Sequence, residues 1–401
     1  MKFQDFHLLS RVRFARVALA CACATAYTLA LAEPSTSPAS NPSAASAPPS
    51  SGWIDPLSAP AELLPLASRS LLLDLAHSGE RYVAVGARGD VLLSDDGRVW
   101  RQSNVPTRTT FTAVSTIDAQ IWAVGHDGVI AHSADGGGHW ELQRQDPWKA
   151  PTAGDTAAPD PHQGAPLLDV LFLDIHRGYA VGAYSLALKT IDGGATWQPL
   201  TVAKAQANAA AGDEPGSADK NAEKNAAKSD HGDKLTFSKD ELKLGQEATP
   251  HFNAIARTGS GALLIVGERG SAFRSRDEGA TWQRQQLPYD GSMFGVIGYE
   301  ADHVVAFGLR GHVYESTDLG EHWTQVATGT ELSLMGGAAL PDGGTSIVGA
   351  NGIVLMRAKA GEPLKSYVDE SAGIIATVLP LANGGGLLIA GENGVSLFQP
   401  Q

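Results

Sequence analysis

The hydrophobic positions of this chain fall in short runs that end in glycine, and the same run recurs along most of its length. One copy reads "YVAVGARGDVLLS" (82–94) and another reads "VVAFGLRGHVYES" (304–316); each joins two apolar segments through a Gly-x-x-Gly turn. Most copies are spaced by about 40 residues, the period of a four-stranded propeller blade. Seven copies share the first glycine of the turn: Gly86, Gly125, Gly182, Gly267, Gly308, Gly349 and Gly391.

Each unit contains four segments that alternate with turns, which we call strands A to D. Strand A is an apolar segment such as "TFTAVSTI" (110–117), strands B and C flank the Gly-x-x-Gly turn, and strand D follows a second turn. This arrangement predicts an all-β, seven-bladed β-propeller over residues 53–401. The two long steps between units predict insertions at about 141–165 and 198–250, in crossings from strand D to the next strand A. The second insertion is predicted to be largely disordered, with a short helix capped by Ser238 and Glu241.

The seventh unit stops after strand C at the end of the chain. The segment "ELLPLA" (62–67) precedes the first strand A with the spacing that strand D has elsewhere. We therefore predict that this N-terminal segment supplies the missing fourth strand, so that the ring closes without an open sheet edge.

The turn between strands C and D carries a second repeated motif, as in "SRDEGATW" (275–282). Its pattern, Ser/Thr-x-Asp-x-Gly-x-x-Trp, resembles the Asp-box or bacterial neuraminidase repeat. Asp can accept backbone N–H groups, Gly permits a positive φ, and Trp is a large apolar plug whose ring N–H can find a partner. Because an active site is normally built once, five copies indicate a structural role. The residues concerned are Asp96 and Trp100, Asp135 and Trp140, Asp192 and Trp197, Asp277 and Trp282, and Asp318 and Trp323.

The N-terminus has the features of an export signal. Arg11, Arg13 and Arg16 precede an apolar run that ends at the small-x-small sequence Ala30-Leu31-Ala32, so residues 1–32 are predicted to be a cleaved signal peptide. An uncleaved anchor and a lipoprotein attached through Cys21 are the alternatives. Residues 33–52 are rich in Pro, Ser and Ala and predict a flexible linker. The expected location is the periplasm, or the equivalent thylakoid lumen, as a soluble protein after cleavage.

Composition excludes several classes of function. The formal net charge of −13 argues against a nucleic-acid binder, and both cysteines lie inside the predicted signal. The histidines form no cluster with metal-ligand spacing, and the Gly-x-x-Gly turns lack the following helix of a phosphate loop. We expect no metal and no cofactor.

An enzyme of the sialidase type is one interpretation of the Asp-boxes. That chemistry uses a tyrosine nucleophile helped by a carboxylate, together with an arginine triad and an N-terminal Phe-Arg-Ile-Pro motif. This sequence has no such motif and no assignable tyrosine–glutamate pair. A carbohydrate-active propeller, either hydrolase or lectin, is the alternative hypothesis, and a structural module that binds a partner on its outer rim is a third.

The order of Gly-x-x-Gly turn and Asp-box, in seven units behind an export signal, resembles the photosystem II stability/assembly factor family of seven-bladed propellers. The resemblance covers about residues 60–401. It implies a non-enzymatic factor that holds a membrane-protein complex of the cell envelope, a photosystem-like partner if the source is photosynthetic. We separately expect the protein to be monomeric. Members of that family carry arginines in such turns.

Alternation of strand direction places the Gly-x-x-Gly turns and the D-to-A crossings on one face of the propeller, opposite the Asp-boxes. Arg88, Arg269 and Arg310 occupy the third position of three turns, where guanidinium groups suit carboxylates or phosphates. Trp148, in the first insertion, is not explained by the repeat and is predicted to contact the partner. The other four units have Asp127, Ser185, Asn351 and Asn393 at the position that we assign as equivalent.

Overall fold

The computed structural model describes residues 54–79, 81–150, 160–202, 249–382 and 384–400. The predicted signal peptide, the linker and the helix at Ser238 to Glu241 lie outside these ranges. Within them, no helix is long and apolar enough to cross a membrane. The longest segments of regular structure are strands, as the alternating pattern predicts.

The strands form seven antiparallel sheets, each built from consecutive segments of chain. Six sheets have four strands and the last has three, which confirms the prediction of an all-β, seven-bladed propeller. The innermost strands are β1 Leu72–Ser78, β5 Phe111–Ile117, β9 Leu167–Phe172, β13 Phe252–Arg257, β17 Met293–Gly298, β21 Leu334–Ala339 and β25 Ile375–Pro380. The second strands are β2 Arg81–Gly86, β6 Gln120–Gly125, β10 Gly178–Gly182, β14 Leu263–Gly267, β18 Val304–Gly308, β22 Thr345–Gly349 and β26 Leu387–Gly391.

The third strands carry the segment between the Gly-x-x-Gly turn and the Asp-box, and the outer strands are short. The third strands are β3 Val91–Ser94, β7 Ile130–Ser133, β11 Ala187–Thr190, β15 Ser271–Ser275, β19 Val313–Ser316, β23 Ile353–Arg357 and β27 Gly394–Phe398. The outer strands are β4 Arg101–Gln102, β8 Glu141–Arg144, β12 Gln198–Pro199, β16 Gln283–Gln286, β20 Thr324–Val326 and β24 Lys365–Val368.

Each innermost strand contacts the innermost strand of the next blade, and β25 contacts β1, so the ring is closed. Polar side chains reinforce these contacts. Asp74 of blade 1 accepts the Val114 N–H of blade 2 at 2.9 Å and the Thr377 hydroxyl of blade 7 at 3.2 Å. Asp169 of blade 3 accepts the Ile255 N–H of blade 4 at 2.8 Å. The wall of the central channel is therefore bonded between blades as well as within them.

The apolar core is divided into seven clusters, one at each interface between neighbouring blades. The tryptophans of the Asp-boxes lie in five of them; Trp140, for example, packs between blades 1 and 2. Blade 6 has Leu364 instead, in the cluster that it shares with blade 5. The box tryptophan thus joins its own blade to the preceding one.

The predicted closing strand at residues 62–67 is not formed. The seventh sheet ends at β27, and the N-terminal segment adopts a single 3-10 turn, Ala67–Arg69. Leu64 and Ala67 nevertheless pack in the cluster between blades 7 and 1. The segment therefore contributes apolar contacts to the closure without pairing as a strand.

Blade 6 replaces the Asp-box with an ion pair to its neighbour. Arg357 occupies the place of the box serine, is 4% exposed, and donates to both carboxylate oxygens of Glu315 in blade 5, at 2.9 and 2.7 Å. His303 Nε2 lies 2.6 Å from Glu315 Oε1 on the other side. The His303 ring and the Arg357 guanidinium hold the pKa of Glu315 down from 4.5 to about 2, against the opposing effect of burial.

We predict that Glu315 makes the stability of the protein depend on acid pH. A carboxyl group whose pKa is lowered by folding contributes stability above its unfolded pKa of 4.5, and this contribution is lost as the pH falls towards 2. Glu315→Gln should therefore flatten the fall in the urea midpoint between pH 7 and pH 3. The exposed Glu300→Gln is the control, and equal slopes in all three proteins would contradict the assignment.

We predict that the N-terminal segment is required for a closed ring. Removal of residues 53–68 withdraws Leu64 and Ala67 from the cluster between blades 7 and 1 and exposes its apolar surface. Thermal unfolding followed by circular dichroism should then lose its single cooperative transition. An unchanged melting curve would show that the ring closes without this segment.

Candidate functional site

The Gly-x-x-Gly turns form one face of the propeller, and each is held against the crossing that enters the same blade. A Cβ on the first glycine would lie 2.0 to 2.2 Å from the carbonyl oxygen of the residue before the innermost strand, for example Leu71 for Gly86 and Ser292 for Gly308. Only glycine permits this approach. The turn is thereby fixed, and its third residue projects from the face.

The third residue of six turns has a positive φ. The φ angles of Arg88, Arg269 and Arg310 are all 56°, and all three side chains are exposed. This left-handed conformation favours Gly, Asn and Asp and costs other residues roughly 1 kcal/mol or more. The conformation of the turn therefore does not explain why arginine occupies three of these positions.

The assignment of Ser185 to this position was wrong. In blade 3 the left-handed third residue is Tyr184, with φ 57°, and Ser185 replaces the second glycine with φ 60°. Tyr184 is 44% exposed and its ring meets His251 edge-on at 5.0 Å. The seventh blade also differs, because Gly391 pairs directly with Gly394 and leaves only Glu392 and Asn393 in the turn.

The ring distributes the three arginines unequally. Arg269 and Arg310 lie on adjacent blades 4 and 5, whereas Arg88 lies on blade 1, two or more blades away in either direction. This division follows from their order in the repeat, because the three arginines occupy the first, fourth and fifth of the seven units. The face carries one pair of arginines and one separate arginine.

A cavity that sequence analysis missed lies beside Arg88. It measures about 350 Å³ and is lined by Leu64, Pro65, Leu66, Arg69 and Ser70 together with Arg88. Leu66 is 63% exposed. Arginine next to exposed leucine suits a segment that carries both a carboxylate and an apolar side chain.

The first insertion was predicted at about 141–165, but residues 141–144 form the outer strand β8, so the crossing begins after it. The described residues that follow β8 lie against the same face. The Asp146 N–H donates to the Asp127 carbonyl at 2.8 Å, and Arg144 donates to the Gly128 carbonyl at 2.7 Å, both in the turn of blade 2. Trp148 is 62% exposed and packs against the backbone of Gly164. Its side chain is therefore accessible to a partner.

The Asp-box turns join strands C and D on the opposite face. In each of the five boxes a Ser or Thr hydroxyl bonds the Asp, whose Oδ1 accepts backbone N–H groups; Asp277 Oδ1 accepts from Thr281 at 2.8 Å. Hydrogen bonds from the Thr281 side chain and backbone lower the pKa of Asp277 to about 2. A carboxyl group that is ionised throughout the neutral range cannot donate a proton as a general acid.

The box tryptophans differ in whether the ring N–H has a hydrogen-bond acceptor. Trp140 donates to the Ser103 hydroxyl at 3.1 Å and Trp282 to the Gly279 carbonyl at 3.1 Å. The ring nitrogens of Trp197 and Trp323 are buried without a partner. Apolar packing between blades, rather than a hydrogen bond, is thus what the five tryptophans have in common.

The Asp-box face contains a larger cavity, of about 1080 Å³, where blades 7, 1 and 2 meet. Its wall is both polar and apolar, and one of its two arginines, Arg81, donates to Asp95 at 3.0 Å and to the Gly136 carbonyl at 2.8 Å. Among the described residues, no group of three or more His, Cys, Asp or Glu side chains could hold a metal ion.

Two carboxyl groups in the central channel were not anticipated from the sequence. Asp74 and Asp169 are surrounded by the innermost strands, and burial raises the pKa of Asp74 to about 6 and that of Asp169 to about 7. Backbone N–H donors oppose this rise in both, and the Asp74 charge adds to it in Asp169. The sequence signal was an Asp within an otherwise apolar strand A, as in "PLLDVLFLD" (166–174).

Comparison with known proteins supports the resemblance inferred from the repeat. The chain is 24% identical over 271 residues to the photosystem II assembly protein Ycf48 of Thermosynechococcus vestitus, which covers 63% of this chain and 74% of that protein. No family model matches the chain. The similarity to Ycf48 is distant but extends over most of the ring.

Solved structures agree on the fold. A structure described as YCF48 bound to D1 peptide superposes with a TM-score of 0.55 at 16% identity, covering 85% of this chain and 94% of that one. The WD40 propeller domain of Doa1 gives a TM-score of 0.56 at 13% identity, covering 86% and 97%. Since two unlike propellers superpose equally well, these structures establish the seven-bladed architecture alone.

We predict that the channel carboxyl groups weaken the fold as the pH rises. A carboxyl group whose pKa is raised by folding stabilises the folded state most below its unfolded pKa, and this stability is lost as the pH rises through 7. Asp169→Asn cannot ionise, so its melting temperature should rise relative to the wild type between pH 5 and pH 8. The exposed Asp290→Asn is the control, and a difference that stays constant with pH would contradict the prediction.

Proposed function

We propose that this protein is a non-enzymatic binding or assembly factor that holds a segment of a membrane protein on its Gly-x-x-Gly face. The observation that carries the proposal is the set of three exposed arginines, Arg88, Arg269 and Arg310, held at one left-handed turn position. A conformation that disfavours arginine is retained at three turns of a single face. The distant similarity to Ycf48 supports the same role.

Guanidinium groups define the chemistry of the partner. They bind carboxylates and phosphates through paired hydrogen bonds, which lysine cannot reproduce. The cavity beside Arg88 adds Leu64 and Leu66, so the segment that fits there combines a carboxylate with an apolar side chain. We propose an acidic or C-terminal peptide segment of an envelope membrane-protein complex, contacted also by Trp148.

Export places the protein where such a partner would be accessible. We propose that residues 1–32 direct the chain out of the cytoplasm and that residues 33–52 tether the propeller in the periplasm or an equivalent lumen. The peptide bound in the YCF48 structure is called D1. If the source is photosynthetic, a photosystem protein is the partner that this similarity favours. We propose that the mature protein acts as a monomer.

The test is capture of solubilised envelope membrane proteins on the immobilised mature protein. The variant Arg88→Gly/Arg269→Gly/Arg310→Gly removes the guanidinium groups and relieves the left-handed strain, so it should fold with a stability within about 1 kcal/mol of the wild type. We expect at least tenfold lower recovery of the membrane protein that the wild type retains. The Lys triple variant, which keeps the charge, should recover only part of the loss.

The matched control is Asn351→Gly, at the same turn position of blade 6 and without a charge. It should capture as much as the wild type. Equal capture by the Gly triple variant would mean that the arginines are solvated turn residues, and absence of any retained membrane protein would remove the proposal. A glycan array probed with the same preparations would then test the carbohydrate-binding alternative.

A further inference from the structure

Within the described residues, blade 7 has no outer strand, whereas each of the other six blades has one. β27 pairs only with β26, whereas the third strand of each other blade also pairs with an outer strand of two to four residues. A groove of about 830 Å³ lies at this place, between β27 and the last residues of β24. Its lining includes Tyr367, Val368, Leu397 and Phe398, and Val368 is 57% exposed.

The N-terminal segment reaches this blade but does not continue along its edge. A Cβ on Gly394 would lie 2.0 Å from the Ser68 carbonyl, as one on Gly89 would lie 2.1 Å from the Thr107 carbonyl in blade 1. Ser68 thus takes the place of the crossing that follows an outer strand. In blade 1, Thr107 lies five residues after the end of β4 at Gln102. Five residues before Ser68 is residue 63, so residues 62 and 63 are the equivalents of β4 and would have to pair with β27.

Residues 61–64 instead bond blade 1. The Ala61 N–H donates to the Val105 carbonyl at 2.9 Å, the Leu64 N–H to Gln102 Oε1 at 2.7 Å, and Gln102 Nε2 to the Glu62 carbonyl at 2.9 Å. In the described parts of the chain, no backbone hydrogen bond joins this segment to β27. The residues that the structure describes therefore give blade 7 three strands.

The edge of β27 presents backbone groups at defined residues. Gly391 and Gly394 close a two-residue hairpin and form a hydrogen-bonded pair, so alternation directs the N–H and C=O of Val395 and Leu397 away from β26. Such an edge is a template for an added strand. The groove beside it would take that strand in the antiparallel direction that the outer strands of the other blades have.

We infer that blade 7 is completed by an extended segment of another protein, added as a fourth strand along β27. This surface is separate from the arginine turns and goes beyond the function proposed above. Asp369 and Glu370 line the groove at the end nearest the Gly-x-x-Gly face. An antiparallel strand ends there, so the segment that fits has about four residues, no proline, and Lys or Arg at its C-terminal end.

Two other occupants are disfavoured by charge and composition. Residues 33–52 contain five prolines, which cannot donate to a strand ladder, and have no Lys or Arg to meet Asp369 and Glu370. A second copy of this chain carries the same net charge of −13, which opposes association. A basic segment from a partner is compatible with both the backbone and the electrostatics.

Residues 139–145, "HWELQRQ", supply a probe, because they contain an outer strand, β8, with Arg144 at its C-terminal end. Fluorescence anisotropy would follow a labelled peptide of this sequence on the full mature protein. We expect saturable binding to the wild type and at least fivefold weaker binding to Val395→Pro, which lacks the outward N–H. Val395→Thr keeps that N–H and should bind within twofold of the wild type.

Additional variants and hydrogen exchange test the same binding edge. A peptide with Arg144→Glu should bind the wild-type protein at least fivefold more weakly, and its binding should be restored on the protein variant Glu370→Lys. The Arg88/Arg269/Arg310 Gly variant should bind the original peptide like the wild type. Hydrogen exchange at Val395 and Leu397 should slow on peptide binding, a measurement that needs no Pro variant. Equal binding by Val395→Pro and Val395→Thr, or unchanged exchange at this edge, would overturn the inference. A dimer of the wild type that Val395→Pro abolishes would assign the edge to a second copy of the chain. Tenfold tighter peptide binding after removal of residues 33–52 would assign it to the linker.

Discussion

The close approach of backbone to backbone at the first glycine of each turn is the constraint on which the structure depends. In all seven blades the second strand ends on a glycine whose missing Cβ admits the carbonyl oxygen of the residue before the innermost strand. This contact fixes the crossing against the turn. It explains why an apolar run ending in glycine is the most regular feature of the chain. It also sets the direction of the third residue in each turn.

The blades are joined by apolar packing at the rim and by polar contacts in the channel. The box tryptophans fill the gaps between neighbouring outer strands, while Asp74 and Asp169 accept backbone N–H groups across the inner interfaces. Blade 6 solves the same problem differently, with Arg357 bonded to Glu315 of blade 5. A buried arginine needs a paired carboxylate, whereas a buried indole is stabilised mainly by apolar packing. The two solutions therefore differ in their sensitivity to pH.

The candidate binding features lie where the repeat is least regular. Arginines occupy only three of the seven turns, the first insertion carries the exposed Trp148, and the N-terminal segment forms a cavity beside Arg88. The seventh blade departs further, with a shortened turn and an unpaired edge at β27. Regular positions hold the ring together, and irregular positions give its surface chemical character.

The sequence by itself determined the number of blades, the four-strand unit and the face on which the arginines lie, because these follow from a local pattern of apolar residues and glycine that recurs in register. It also located the Asp-box turns, whose hydrogen bonds are confined to a few consecutive residues. The assignment of Ser185 was wrong because Ser185 occupies the place of the second glycine, whereas Tyr184 is the third residue of the turn counted from Gly182. Only the tertiary structure decided the rest: the raised pKa values of Asp74 and Asp169, and the path of residues 61–64 onto blade 1 rather than β27. Each of these depends on contacts between residues far apart in the chain, which a local pattern does not encode.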